Sequence, residues 1–280
     1  MKNLGYYNGQ FGEAEEMMIP MNDRVCYFGD GVYDATYSRN YKIFALDEHI
    51  DRIYNSAALL KIEIAQTKEE MKAILNEMVS KMDTGSNFVY WQVTRGTGKR
   101  NHVFPTDGSK ANLWITISPK DIVDVYKKIK LITLEDTRFL HCNIKTLNLI
   151  PSVMASQKAK EANCDETVLH RNGRVTECAH SNVHIIKDGI FMTAPTDHLI
   201  LPGIARAHLI KACKKLGFGV DETPFTLDEM MNADEVIVSS SGSLCLAAEI
   251  IDGKPVGGKA PEMLKAIQDE VLREFMEATN

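Results

Sequence analysis

Apolar residues recur along this chain with two periods, three to four in some stretches and two in others, and Gly, Asn, Asp and Pro punctuate the segments between. After a turn at Arg39-Asn40 and a short extended run, Lys42-Ile43-Phe44, Asp47 stands as a candidate cap. Leu46, Ile50, Ile53, Ala57 and Leu60 then line one helix face. Thr67-x-x-Glu70 has the form of a capping box and predicts a second helix to about Met82, with Met71, Ile74, Leu75 and Met78 inward. Strands follow near Phe88 to Thr94 and Ala111 to Ser118, separated by a Gly-, Lys-, Arg-, Asn- and Pro-containing stretch, Gly96 to Ser109, that reads as a long loop. Pro119 to Tyr126 reads as a linker, and a new strand begins near Ile129 to Leu134. Asn172-Gly173 and Asp188-Gly189 each join two short β-type runs and predict tight hairpins. A helix is expected from about Gly203 to Leu216, stopped by Gly217. Another follows Pro261 with Met263, Leu264, Ile267, Val271, Leu272 and Phe275 on its apolar side.

Strands and helices mixed in two blocks over 280 residues indicate an α/β or α+β chain of two domains. The expected boundaries are 1–119 for a smaller N-terminal domain, 120–125 for the linker and 126–280 for a larger C-terminal domain. An apolar fraction of 44% and a charged fraction of 25% fit an ordinary globular protein. A formal net charge of −6, with Lys and Arg interspersed among acids, argues against a nucleic-acid partner. Met1 to Gln10 lacks an apolar core of signal-peptide length, and no uncharged run approaches the ~20 residues of a membrane span, so a cytoplasmic protein is expected. The six cysteines show no C-x-x-C pair. His180 and His184 lie four apart in chain that reads as extended, where their side chains do not converge, and no metal site is expected.

Three segments could carry chemistry. In Phe139 to Ala155, Lys145 alone has a permanent charge; desolvation there would disfavour its ammonium, as a Schiff-base lysine requires. The same pattern suits a lysine that snorkels to the surface from an apolar strand end. Gly203-Ile-Ala-Arg206 opens a helix after Leu199-Ile-Leu-Pro202, and the unpartnered amides of a first turn can receive a phosphate, although many such helices bind nothing. Val238-Ser-Ser-Ser-Gly-Ser-Leu244 runs from a strand into a hydroxyl- and glycine-rich turn, suited to an anion or simply to solvent.

Six segments in order resemble the class IV aminotransferases: Tyr27-Phe-Gly-Asp-Gly-Val-Tyr-Asp34, Glu48-His-Ile-Asp-Arg-Ile-Tyr54, Val93-Thr-Arg-Gly-Thr97, Asn143-Ile-Lys-Thr-Leu-Asn148, Gly173-Arg-Val-Thr-Glu-Cys-Ala-His-Ser-Asn182 and Leu201-Pro-Gly-Ile-Ala-Arg206. Within that family the D-amino acid (D-alanine) aminotransferases are the most similar. The resemblance implies the two-domain class IV fold with pyridoxal 5′-phosphate in the interdomain cleft, bonded to Lys145. It further implies that Glu177 accepts a hydrogen bond from the pyridine nitrogen and that Arg52, the amides of Ile204 and Ala205, and Ser241 hold the phosphate. Leu201 would pack against the ring and Ser240 would line the pocket. Tyr33, Arg100 and His102 would trap the substrate carboxylate, the last two on a loop contributed by the neighbouring subunit of a homodimer.

The implied reaction moves the amino group of D-alanine to 2-oxoglutarate, giving pyruvate and D-glutamate. Branched-chain L-amino acid aminotransferases and aminodeoxychorismate lyases share the fold and are the rivals; a silent protein that only binds the cofactor is another. Retention of Lys145 together with Glu177 argues against the silent reading, since binding needs neither. Two departures stand out. Ala205 occupies a position where the family often has Thr or Ser, removing one hydroxyl from the phosphate, and Cys178-Ala179-His180 replaces a run of small residues, where His180 would alter the pocket wall.

Overall fold

A computed structural model describes residues 3–106 and 108–280. Residues 1 and 2, at the start of the stretch tested for a signal peptide, and residue 107, within the predicted loop Gly96 to Ser109, lie outside the described residues. The chain divides into two compact units, one of Met1–Asp121, Ile144–Asn148 and Glu277–Asn280, the other of Ile122–Asn143 and Leu149–Met276.

The first unit contains β1 (Leu4–Tyr7), β2 (Gln10–Glu13), α1 (Arg24–Phe28), β3 (Gly31–Arg39), β4 (Lys42–Ile43), α2 (Leu46–Leu59), α3 (Lys68–Ser80), β5 (Asn87–Thr94) and β6 (Asn112–Pro119). Its antiparallel sheet has the order β2-β1-β6-β5-β3-β4. Ile50 and Ile53 of α2 and Met71, Leu75 and Met78 of α3 are fully buried in one cluster with Val89, Trp91 and Val93 of β5. Each such side chain contributes roughly 1.5–3 kcal/mol by leaving water, so an alanine at Ile53 would open a void in the layer that supports β3. The Thr67–Glu70 capping box forms as expected, with both reciprocal bonds. Asp47 does not cap α2. It sits in the first turn, where its charge suits the helix dipole and pairs with Lys72, while Ala45 takes the cap position in a left-handed conformation.

The second unit contains β7 (Lys128–Glu135), α4 (Ile150–Glu161), β8 (Glu166–Arg171), β9 (Arg174–Cys178), β10 (Asn182–Lys187), β11 (Ile190–Thr193), α5 (Ile204–Lys215), β12 (Gly219–Asp221), α6 (Leu227–Met231), β13 (Glu235–Ser239), β14 (Leu246–Ile251) and β15 (Lys254–Pro255). The closing helix, α7 (Pro261–Ala278), belongs to this unit up to Met276. The strand order is β12-β11-β10-β13-β14-β7-β8-β9, with β15 on β14. Both predicted hairpins are present. Asn172 and Gly173, and Asp188 and Gly189, all have left-handed φ values, the conformation that matches a two-residue turn to strand twist. The apolar stretch before Ala155, read as a possible strand end, instead enters α4, with Pro151 in its first turn.

Candidate active site

In the first unit, the hairpin partner β4 covers β3 only at Ser38 and Arg39, so the other end of that edge is open to a further segment. Ile144–Asn148 takes the place: Thr146 bridges to Val32, Leu147 N donates to Gly31 O at 3.1 Å, and Tyr33 N donates to Lys145 O at 3.0 Å. A side chain at Gly31 would meet Val93 O at 2.6 Å and Leu147 Cδ1 at 2.7 Å, so this docking requires glycine there. Lys145 is half-buried on this irregular segment, its backbone N donating to Ser56 Oγ of α2 at 3.2 Å. Its Nζ lies 4.3 Å from the centroid of the Tyr33 ring. Tyr33 in turn stacks on Tyr90 at 5.6 Å, and Tyr90 meets Trp114 at the same spacing, so the amine stands at the end of an aromatic shelf.

The opposite face of β3 carries Asp34, fully buried. Arg52 donates to its two oxygens, Nε at 2.8 Å and Nη2 at 2.6 Å, and His49 Nδ1 donates to Asp34 Oδ1 at 2.7 Å. Burial opposes the Asp34 charge, but Arg52 and His49 outweigh it and hold the carboxyl below its usual range. Burial also pushes His49 down despite Asp34, leaving it a neutral donor. Arg52 is therefore a buried, aimed guanidinium and not a surface arginine. Asp34 and His49 were missed by sequence reasoning, although His49 and Arg52 three apart among Ile50 and Ile53 place both on the buried side of a helix.

Arg100 and His102 occupy the exposed loop after β5, the Arg100 guanidinium 5.4 Å and the His102 ring 5.0 Å from the ring of Phe28. Arg24 of α1 donates to Asn101 O at 2.6 Å and pins the loop from below. Tyr33 meets Tyr90 and Lys145, whereas the loop pair rests on Phe28.

In the second unit, Glu177 of β9 is buried and accepts from Arg138, from Asn182 Nδ2 at 3.0 Å and from Leu201 N at 3.0 Å. Arg138 also holds Asp136, through Nε at 2.9 Å and Nη2 at 2.8 Å, and Asp136 is shared with Arg171 and Thr176. Burial disfavours the Arg138 charge, yet Asp136 and Glu177 more than compensate and raise its pKa, so the guanidinium stays charged. Arg138 lies one residue before the segment singled out from the sequence. An Asp136-x-Arg138 pattern carries no mark that separates a buried ion pair from a solvated one.

Asn182 is the hub of this region. Besides Glu177, its Nδ2 donates to Leu201 O at 3.1 Å, and it lies directly across from Ser239 at the end of β13. A Cβ on Gly203 would come 2.0 Å from Asn182 Oδ1, so the residue capping α5 cannot carry a side chain. With no side-chain cap, the amides of Ile204 and Ala205 open the helix without an internal partner, as a phosphate requires. Ser240 and Ser241 leave β13 in a tight turn closed by Leu244 N donating to Ser240 O at 2.8 Å, and Ser240 and Ser243 hydroxyls meet at 2.7 Å. A capless twelve-residue helix, a hydroxyl turn and a buried carboxyl paired with Arg138 form a donor and acceptor set that fits a phosphorylated pyridine. His180 follows Glu177 and the buried Cys178 and Ala179 at the end of β9. Its side chain is exposed and pairs with the buried Glu166 at 2.5 Å.

The family model for class IV aminotransferases matches residues 31–251, which takes in Tyr33, Arg52, Arg100, His102, Lys145, Glu177, Leu201 and the Ser240-Ser241 turn. The chain belongs to the class IV aminotransferases. This aminotransferase is 39% identical over 276 residues to a D-alanine aminotransferase of Listeria monocytogenes, covering 97% of this chain and 96% of that one. Among solved structures it is similar to a branched-chain amino acid aminotransferase of Escherichia coli (TM-score 0.90, 21% identity, 100% and 97% of the two chains), a likeness of fold. It is also similar to a T.th. branched-chain amino acid aminotransferase complexed with N-(5′-phosphopyridoxyl)-L-glutamate (TM-score 0.87, 26% identity, 99% and 94%). The mixed α/β fold and the pyridoxal 5′-phosphate expected from the sequence are those of this family. Among the described residues no helix is long and apolar enough to cross a membrane, and no group of three or more His, Cys, Asp or Glu is arranged to hold a metal ion.

Proposed function

We propose that this aminotransferase acts on D-amino acids, moving the amino group of D-alanine to 2-oxoglutarate to give pyruvate and D-glutamate, as a homodimer. The observation that carries a catalytic reading is Glu177, a buried carboxyl that accepts hydrogen bonds from Arg138, Asn182 and the Leu201 amide. Such a group serves a pyridine nitrogen that must stay protonated, and mere binding would need no such acceptor. When bound, pyridoxal 5′-phosphate draws electrons from the substrate Cα and so weakens its C–H bond. Lys145 would take the Cα proton and hold it on its Nζ for return to the reacting substrate. Tyr33, under the Lys145 amine at 4.3 Å, keeps that amine in one direction. Ile204 and Ala205 amides, Ser241 and Arg52 hold the phosphate, while Leu201, fixed by its bond to Glu177, supports the ring and Ser240 lines the pocket.

The D preference rests on identity to a D-alanine aminotransferase and on Tyr33, Arg100 and His102. A guanidinium binds a carboxylate bidentately and imidazole and phenol donors fix its remaining lone pairs. With the carboxylate anchored and Cα–H facing Lys145, one enantiomer alone leaves room for its side chain. Arg100 and His102, exposed on their own subunit, are assigned to the partner's site. The branched-chain reading is the alternative that the likeness to the T.th. branched-chain amino acid aminotransferase favours. Borohydride reduction of the holoenzyme should fix the cofactor to the Lys145 peptide, and Arg100→Ala should raise KM for D-alanine and 2-oxoglutarate with an unchanged cofactor spectrum. A label on another lysine removes the Lys145 assignment, and an unchanged KM removes the carboxylate trap.

A further inference from the structure

A buried histidine with no role so far stands on the same sheet face as Asn182. His184 lies two residues further along β10, so its side chain leaves the strand in the same direction. Its Nδ1 is 2.8 Å from Oγ1 of Thr193, its cross-strand partner in β11, and its Nε2 is 2.8 Å from Ser239 Oγ in β13. Arg206, buried in the first turn of α5, donates through Nε to Thr193 Oγ1 at 3.1 Å and through Nη2 to Ala194 O and Glu222. One line of polar contacts thus runs Arg206, Thr193, His184, Ser239. It joins the helix whose first amides face the phosphate to the last residue before the Ser240-Ser241 turn.

The protons in this line have a fixed order. Arginine only donates, so Thr193 accepts from it, and the acceptor the structure gives the Thr193 hydroxyl proton is His184 Nδ1. Burial, reinforced by the Arg206 charge, takes His184 down to about 3, so the neutral ring has a single proton to place. With Nδ1 accepting, that proton is on Nε2 and is donated to Ser239. We infer that His184, as the Nε2–H tautomer, is a positioning residue that locks the Ser239–Ser241 strand exit to helix α5 and so fixes the two sides of the phosphate cradle relative to each other. The inference rests on the assignment of Ile204, Ala205 and Ser241 to the phosphate.

The test uses cofactor-depleted enzyme titrated with pyridoxal 5′-phosphate and, separately, with pyridoxal, which lacks the phosphate. His184→Phe keeps a ring against Phe191 but removes both hydrogen bonds. Its preference for the phosphorylated form should fall roughly tenfold, the lower end of what outer supporting residues contribute at bound metals, while pyridoxal affinity stays at the wild-type value. His184→Gln, whose amide nitrogen can still donate to Ser239, should recover part of the preference, and it carries the test if the Phe variant does not fold. An unchanged ratio, whether both affinities fall together or neither does, overturns the inference. Ser241→Ala separates the causes. If it too leaves the ratio unchanged, the phosphate assignment fails and the inference with it; if it lowers the ratio while the His184 variants do not, the inference alone fails.

Discussion

Replacing Arg138 by Met leaves Glu177 and Asp136 buried without their shared guanidinium. The side chains are 11%, 7% and 0% exposed in the order Arg138, Glu177, Asp136, so water cannot screen the loss. Breaking a buried pair costs about 3–5 kcal/mol. Asp136 keeps Arg171 and the Thr176 hydroxyl, and Glu177 keeps Asn182 and the Leu201 amide, which places the cost near the lower end, ~3 kcal/mol. At about 2–4 °C per kcal/mol for a unit of this size, the melting temperature should fall by about 6–12 °C. Function should fail separately. Without the neighbouring charge, the Glu177 carboxyl is driven toward protonation, and a protonated acid no longer accepts from the cofactor ring. Turnover should drop at least about tenfold, equivalent to ~1.4 kcal/mol, while phosphate-held cofactor remains bound. Differential scanning calorimetry and steady-state kinetics of the same preparation read both effects. A variant with wild-type melting and wild-type turnover would refute the reasoning.

Glu177→Gln should retain cofactor yet slow Cα proton exchange, since a neutral partner no longer favours the protonated ring nitrogen; deuterium wash-in at the substrate Cα measures it, and unchanged exchange removes Glu177 from that role. Ala205→Thr should tighten cofactor binding, because a hydrogen bond to a charged phosphate contributes about 1.5–3 kcal/mol; equilibrium dialysis showing no fall in Kd would mean the phosphate is already saturated. His184 makes stability depend on pH in a definite direction. Its folded pKa, down to about 3, lies below the ordinary 6.5 of the unfolded chain, so the unfolded state gains a proton first. Its contribution is full above about 6.5 and is lost toward about 3, at roughly 1.4 kcal/mol per pH unit for one proton. Urea unfolding of His184→Gln should therefore show a shallower acid decline than wild type, and parallel curves would contradict this.

What the sequence revealed, and what it concealed, follow from how local each signal is. The Thr67–Glu70 box and the two hairpins are set by residues within four positions of each other, and the structure has all three. Lys145 stood out because sixteen neighbours around it carry no permanent charge. Its setting, however, depends on the open edge of β3 more than a hundred positions away in the chain, which no local pattern reveals. Arg138 and Asp136 look like surface charges until β8 and β9 bury them. His184 attracted notice only as half of a rejected metal pair; its partners Thr193, Ser239 and Arg206 come from three other elements. Asp47 misled because acids are favoured both at a cap and in the first turn, and here the turn prevails.

Purified holoenzyme should be given 2-oxoglutarate with D-alanine, L-alanine or L-leucine in turn, and formation of the corresponding oxo acid followed. Pyruvate should form from D-alanine far faster than from L-alanine, with D-glutamate as the co-product. Faster transamination of L-leucine than of D-alanine would contradict the D-specific assignment and make this a branched-chain aminotransferase.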